Sequence, residues 1–160
     1  AACQVESKST GSEINIPNNG ISGHAEKIFD GDSFIFRSDE GERLEVRILR
    51  IDAPERSQAH ASQSRRALDK ATRGKLYLIK DSVDRYNRVL AHVVRQSDQQ
   101  DIAEWMISQG HAWVYHRYRD NKDLMALENA ARSQQLGLWR DADANSPTPP
   151  WQWRKQSRSR

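Results

Sequence analysis

The sequence predicts an α+β fold in which five short strands close into a small barrel and about three helices pack outside it. Five segments of strand-like, alternating or β-branched apolar character fall within residues 24–95, separated by short polar turns. Apolar stripes at helical spacing interrupt that series once and follow it twice. At 160 residues, the chain is long enough to bury a single core.

Residues 1–20 are polar and end in Asn18-Asn19-Gly20, which reads as a flexible leader. "HAEKIF", "SFIFR" and "RLEVRILRI" then follow one another through short turns, so an antiparallel meander is expected. A helix is predicted over residues 59–73, with Ala61, Ser64, Leu68 and Ala71 on one face and Gly74 past its end. "KLYLIKDSV" and "RVLAHVVR" supply two more strands around the turn "DRYN". Asp101 is placed to cap a short helix with Ile102, Trp105 and Met106 inward and Gly110 as its stop. A last helix fits residues 121–136, where Leu124, Leu127 and Ala131 share a face and Gly137 ends it. "DADANSPTPP" reads as an extended linker into a basic tail, with Trp151 and Trp153 docked and the arginines loose in solvent. Five strands with helices inserted late correspond to an OB-type barrel over residues 21–142, with 143–160 as linker and tail.

Charged residues make up 29% of the chain and the formal net charge is +3. The last ten residues hold Arg154, Lys155, Arg158 and Arg160 with no acid, so residues 1–150 are slightly acidic by themselves. The basic pI is therefore no nucleic-acid footprint in itself. No apolar run approaches a membrane span. Cys3 is the only cysteine, which excludes an internal disulfide framework. The first residue is Ala1, which favours a processed, exported chain, and "AAC" is similar to the end of a lipid-attachment signal at Cys3.

Three clusters hold candidate chemistry. In "DGDS" (30–33), Gly31 lets the backbone turn while two carboxylates project nearby. It is no EF-hand, because the twelfth position from Asp30 is Gly41 and from Asp32 is Arg43. In "RILRIDAPE" (47–55), Pro54 stiffens the backbone after Asp52 and biases Ala53 toward an extended conformation. A carboxylate and a carbonyl at a strand end suit a hard cation; a helix cap and a solvent-facing strand would also account for these residues. In "DRYNR" (84–88), Arg85 and Arg88 bracket Tyr86, a set able to grip phosphate or to form an ordinary polar hairpin tip. The five histidines show no zinc-site spacing.

In combination and order, "DGDS", "RILRIDAPE", "DRYNRVLA", "GHAWVY" and "LGLW" resemble the staphylococcal nuclease (thermonuclease) family over roughly residues 22–140. The resemblance implies a calcium-dependent phosphodiesterase, an endonuclease acting on DNA and RNA, single strands favoured, with 3′-phosphate ends and a monomeric chain. It implies that Asp32 and Asp52 ligate Ca²⁺ through side chains and Ala53 through its backbone carbonyl, where the family often has threonine. Asp30 would sit behind them. Glu55 would accept a proton from, or orient, the attacking water. Arg47 and Arg88 would clamp the phosphate and neutralise developing charge, a contribution on the order of 3 kcal/mol per donor. Arg85 and Tyr86 would hold a neighbouring phosphate, and Tyr115 and Tyr118 would line the nucleotide groove, with His116 where the family often has tyrosine. The competing reading is a non-catalytic nucleic-acid- or protein-binding module of the same fold. Against it stands the retention of Asp32, Arg47, Asp52, Glu55 and Arg88 together.

Strict alternation puts Arg47 and Asp52 on opposite faces of a strand, so the strand must bend, bulge or end between Leu49 and Asp52. Arg50 is left without a role and expected to face solvent.

Overall fold

The computed structural model describes residues 20–140 and 147–160. The leader, Cys3 and the linker residues 141–146 lie outside the described residues.

Strands β1 (Gly20–Ile28), β2 (Ser33–Ser38) and β3 (Arg43–Ile48) form the expected antiparallel meander. After a two-residue strand β4 (Ile51–Asp52) and helix α1 (Ala61–Ala71), the chain returns as β5 (Leu76–Val83) and β6 (Val89–Arg95). β5 pairs with β1, and β6 pairs with β5 and then in parallel with β3, Val46 opposite Val89 and Ile48 opposite Ala91. That last pairing closes five strands into a barrel. Register shifts at Ala25/Lys27 and Lys80/Ser82 bend β1 and β5 enough to permit closure.

The barrel interior follows from strand alternation. Phe34, Phe36, Val46, Ile48, Leu76, Leu78, Ala91 and Val93 point inward and are buried. A short edge strand β7 (Gln100–Asp101) leads into α2 (Ile102–Ser108), and β8 (Trp113–Val114) pairs with β4 before α3 (Lys122–Ser133). The three helices fall where the periodicity places them. Leu68, Ala71, Ile102, Met106, Leu124 and Ala131 are buried, whereas Trp105 and Leu127 are only partly so. Asp101 and Asn121 cap α2 and α3 by accepting from the backbone N–H groups of Glu104 and Leu124 at 3.0 and 3.1 Å.

A fourth helix, α4 (Pro150–Arg158), occupies the predicted loose tail. Pro150 sits in its first turn, where a missing N–H costs nothing. Trp151 packs on a small cluster of Trp113, Ala131, Leu138 and Trp139. Of the two tryptophans expected to dock, Trp151 joins this cluster; Trp153 is half-buried and outside it, and the cationic end is ordered as helix and not solvated throughout.

Candidate active site

The predicted break in the third strand is present. β3 stops at Ile48, Arg50 adopts φ 72°, and the chain resumes as β4 at Ile51. The bend turns Asp52 back to the face that carries Arg47. Arg47 then bridges the bend: its Nη1 donates to the carbonyls of Ile48 (2.6 Å) and Ile51 (2.9 Å). Its Nη2 lies 3.4 Å from Asp32 Oδ2 and 3.5 Å from Asp52 Oδ1. One guanidinium thus locates two carboxylates that are 20 residues apart in sequence.

Asp32 and Asp52 are both buried, Asp52 to 1% exposure. Asp32 Oδ2 accepts from the N–H of Ala53 at 2.7 Å, tying the β1–β2 turn to β4. Burial pushes the Asp32 carboxyl well above its usual range; Arg47 opposes this, while the charges of Asp30 and Asp52 reinforce it. Asp30 is engaged locally, its Oδ1 accepting from Asp32 N–H (3.1 Å) and Ser33 Oγ (2.7 Å). Gly31 is not in the left-handed region; space is the reason for it. A Cβ there would lie 1.9 Å from Ser64 Oγ and 2.7 Å from Ala53 Cβ.

On the opposite wall, Asp84 organises the β5–β6 hairpin. It accepts from the N–H groups of Tyr86 (2.9 Å) and Arg88 (3.0 Å) and from Arg88 Nε (2.9 Å). Burial acts to raise the Asp84 pKa, but those bonds outweigh it and hold the carboxyl low. Asn87 takes φ 61° at the tip. Tyr86 is exposed, with the Arg85 and Arg88 guanidiniums 4.9 and 5.5 Å from its ring centre.

These elements enclose one groove of ≈750 Å³. Every predicted site residue lines it: Asp30, Asp32, Arg47, Asp52, Ala53, Glu55, Arg85, Tyr86, Arg88, Tyr115 and Tyr118. Asp84, Arg117, Arg154 and Arg158 line it too and were not assigned from sequence. The Asp84 role was legible as a local Asx-turn pattern. Arg154 had no such signal, since its partners lie 99 and 102 positions away. Arg154 Nη2 meets Asp52 Oδ2 at 2.8 Å and its Nη1 meets Glu55 Oε1 at 2.6 Å. Arg50 also departs from expectation. It is largely buried and pairs with Asp101 at 2.6 Å, so the one charge expected in solvent instead ties the bend to the start of α2.

The order and placement of these motifs agree with a family match: residues 45–141 fit the family described as staphylococcal nuclease homologue. The chain belongs to the staphylococcal nuclease family. It is 36% identical to an uncharacterised endonuclease of Escherichia coli over 135 residues, spanning 84% of this chain and 85% of that relative. An uncharacterised endonuclease of Haemophilus influenzae is 36% identical over 133 residues, covering 82% and 72% of the two chains. A micrococcal nuclease of Shigella flexneri is 34% identical over 147 residues, covering 86% and 82%.

Proposed function

We propose that this chain is a calcium-dependent nuclease that hydrolyses phosphodiester bonds of DNA and RNA with little sequence preference. Single strands are favoured and 3′-phosphate ends are left. The single observation that supports it most is the convergence of Asp32, Arg47, Asp52, Glu55 and Arg88 on one groove from three separate stretches of sequence. A purely binding module has no chemical need for that set.

The donor set suits a hard cation. Two buried carboxylates, Asp32 and Asp52, converge beside Arg47, and Asp52 also meets Arg154, which a cation at this site would have to replace. Among the described residues, no cluster of three or more carboxylate, His or Cys side chains forms a metal cage. The ion would thus rest on two side chains and the Ala53 carbonyl, with Asp30 behind. When bound, calcium supplies Lewis-acid polarisation of a phosphoryl oxygen.

The chain's own groups do the rest. Glu55 takes a proton from the water that attacks phosphorus as the bond to the 5′-oxygen breaks, and the departing oxygen takes up a proton from solvent to leave as a 5′-hydroxyl. Arg47 and Arg88 face the charge that builds on the phosphoryl oxygens, preorganised by the Ile48 and Ile51 carbonyls and by Asp84. Arg85 and Tyr86 hold the adjoining phosphate, and Tyr115 and Tyr118 flank the base. The chain acts as a monomer and is exported, with Cys3 a candidate lipid-attachment point.

Digestion of single-stranded DNA tests this. Cutting is expected with Ca²⁺, lost with EGTA, and slowed by about 10²- to 10⁴-fold in Glu55→Ala. Persistence through both chelation and substitution would overturn the reading. Retention of DNA without cutting in Ca²⁺ would instead favour the binding module.

A further inference from the structure

We propose that α4 is an autoinhibitory segment whose Arg154 competes with the divalent cation for Asp52 and Glu55. The inference rests on the metal reading above and adds a regulator to that site.

Arg154 lies across the acidic pair. Its two terminal nitrogens reach Asp52 Oδ1 (3.3 Å), Asp52 Oδ2 (2.8 Å) and Glu55 Oε1 (2.6 Å). With Arg47 Nη2 also 3.5 Å from Oδ1, both Asp52 oxygens already face guanidinium nitrogens. The same contact engages the carboxylate assigned to the attacking water. A cation at Asp52 and Arg154 at Asp52 are alternative ways to neutralise one buried charge, so each must displace the other.

The rest of α4 presents Arg154 to the groove. Trp151, Arg154 and Arg158 recur at helical spacing on one face. Trp151 rests on the Trp139 cluster and lies 5.7 Å from His116 and 5.8 Å from the Arg119 guanidinium. Just upstream, the carbonyl of Thr148 accepts from Gln58 Nε2 at 2.8 Å, while Gln58 Oε1 accepts from the Glu55 N–H. Apart from the buried Pro150 and the half-buried Trp151, Trp153 and Arg154, α4 is exposed, and none of its residues belongs to the cluster that fills the barrel. Such a segment can be displaced without opening the core.

Calorimetric titration of the full chain with Ca²⁺, without nucleic acid, tests the competition. The apparent affinity of the wild type is reduced by the fraction of molecules in which Arg154 occupies the site. Arg154→Gln should therefore tighten calcium binding roughly tenfold if about one molecule in ten is open. Arg158→Gln removes the same charge from the groove without touching Asp52, and should change affinity by less than about threefold. In parallel, saturating Ca²⁺ should speed amide hydrogen exchange across residues 151–158 of the wild type. Equal effects of the two substitutions would reduce Arg154 to a general field effect and overturn the proposal. So would unchanged affinity in Arg154→Gln, or unchanged exchange in α4. Loss of all calcium binding from both the wild type and Arg154→Gln would sink the metal reading itself, and this inference with it; calcium binding that ignores residue 154 sinks only the inference.

Discussion

At the scale of single residues, the site depends on charges that are assigned by contact and not by type. Glu128 is fully buried, as Asp52 nearly is, yet it lies outside the groove and is satisfied by Arg119, Arg132 and the Val114 N–H. Asp52 instead faces the groove with one arginine five positions away and another 102 positions away. Arg50 shows how much a single contact changes a reading. Its backbone sits at φ 72°, its carbonyl accepts from Tyr115 N–H at 2.9 Å, and its side chain holds Asp101, the cap of α2. Arg50→Ala should lower stability by about 2 kcal/mol, because it strands the partly buried carboxylate of Asp101. Arg50→Gly loses the same ion pair but suits that backbone, so its urea midpoint should lie above that of Arg50→Ala. The reverse order would mean the backbone conformation contributes nothing. Asp52 and Arg47 were legible at this scale; Arg50 was not, since its partner lies 51 positions away.

At the scale of elements, the site is an outcome of one bent strand, one tight turn and one hairpin. The parity of 47 and 52 already required a bend, and the chain provides it by ending β3 and restarting as β4. The β1–β2 turn must then approach α1 closely, and Gly31 is where it does so. Gly31→Ala should destabilise the chain by about 1–3 kcal/mol, since Ser64 Oγ is held by its bond to the His111 carbonyl (2.7 Å) and the buried Ala53 Cβ has no rotamer by which to move away. Adding Ser64→Ala removes the 1.9 Å clash but leaves the 2.7 Å one, so thermal melts should show partial recovery. Full recovery would place the whole clash on the hydroxyl. Helix extents were read to within a few residues from periodicity and caps. The reason for Gly31 was not, because turn preference and close approach call for the same residue.

For the molecule as a whole, the helices are joined to one another as well as to the barrel. His60 Nε2 and His111 Nδ1 lie 3.1 Å apart, linking the start of α1 to the segment after α2, with the rings stacked at 5.3 Å. Burial, with a smaller contribution from His60, lowers the His111 pKa from 6.5 to about 4. The unfolded chain therefore binds more protons than the folded one between those values, and stability is complete above pH 6.5 and falls as pH drops toward 4. His111→Gln should flatten that part of the stability–pH curve, measured by urea unfolding; an unchanged slope would assign the acid sensitivity elsewhere. Much of this architecture could be read before the fold was known. Alternating apolar residues define which strand faces are inside, and helical stripes define which helix faces are covered, because both are local consequences of backbone period. The motif order likewise marked the acidic and arginine residues of the groove. What only tertiary structure decided is which charges meet. Barrel closure through β3 and β6, the Arg50–Asp101 pair and the seating of Arg154 on Asp52 and Glu55 all join segments far apart in sequence. Pairing of that kind depends on position in space, and no local period encodes it.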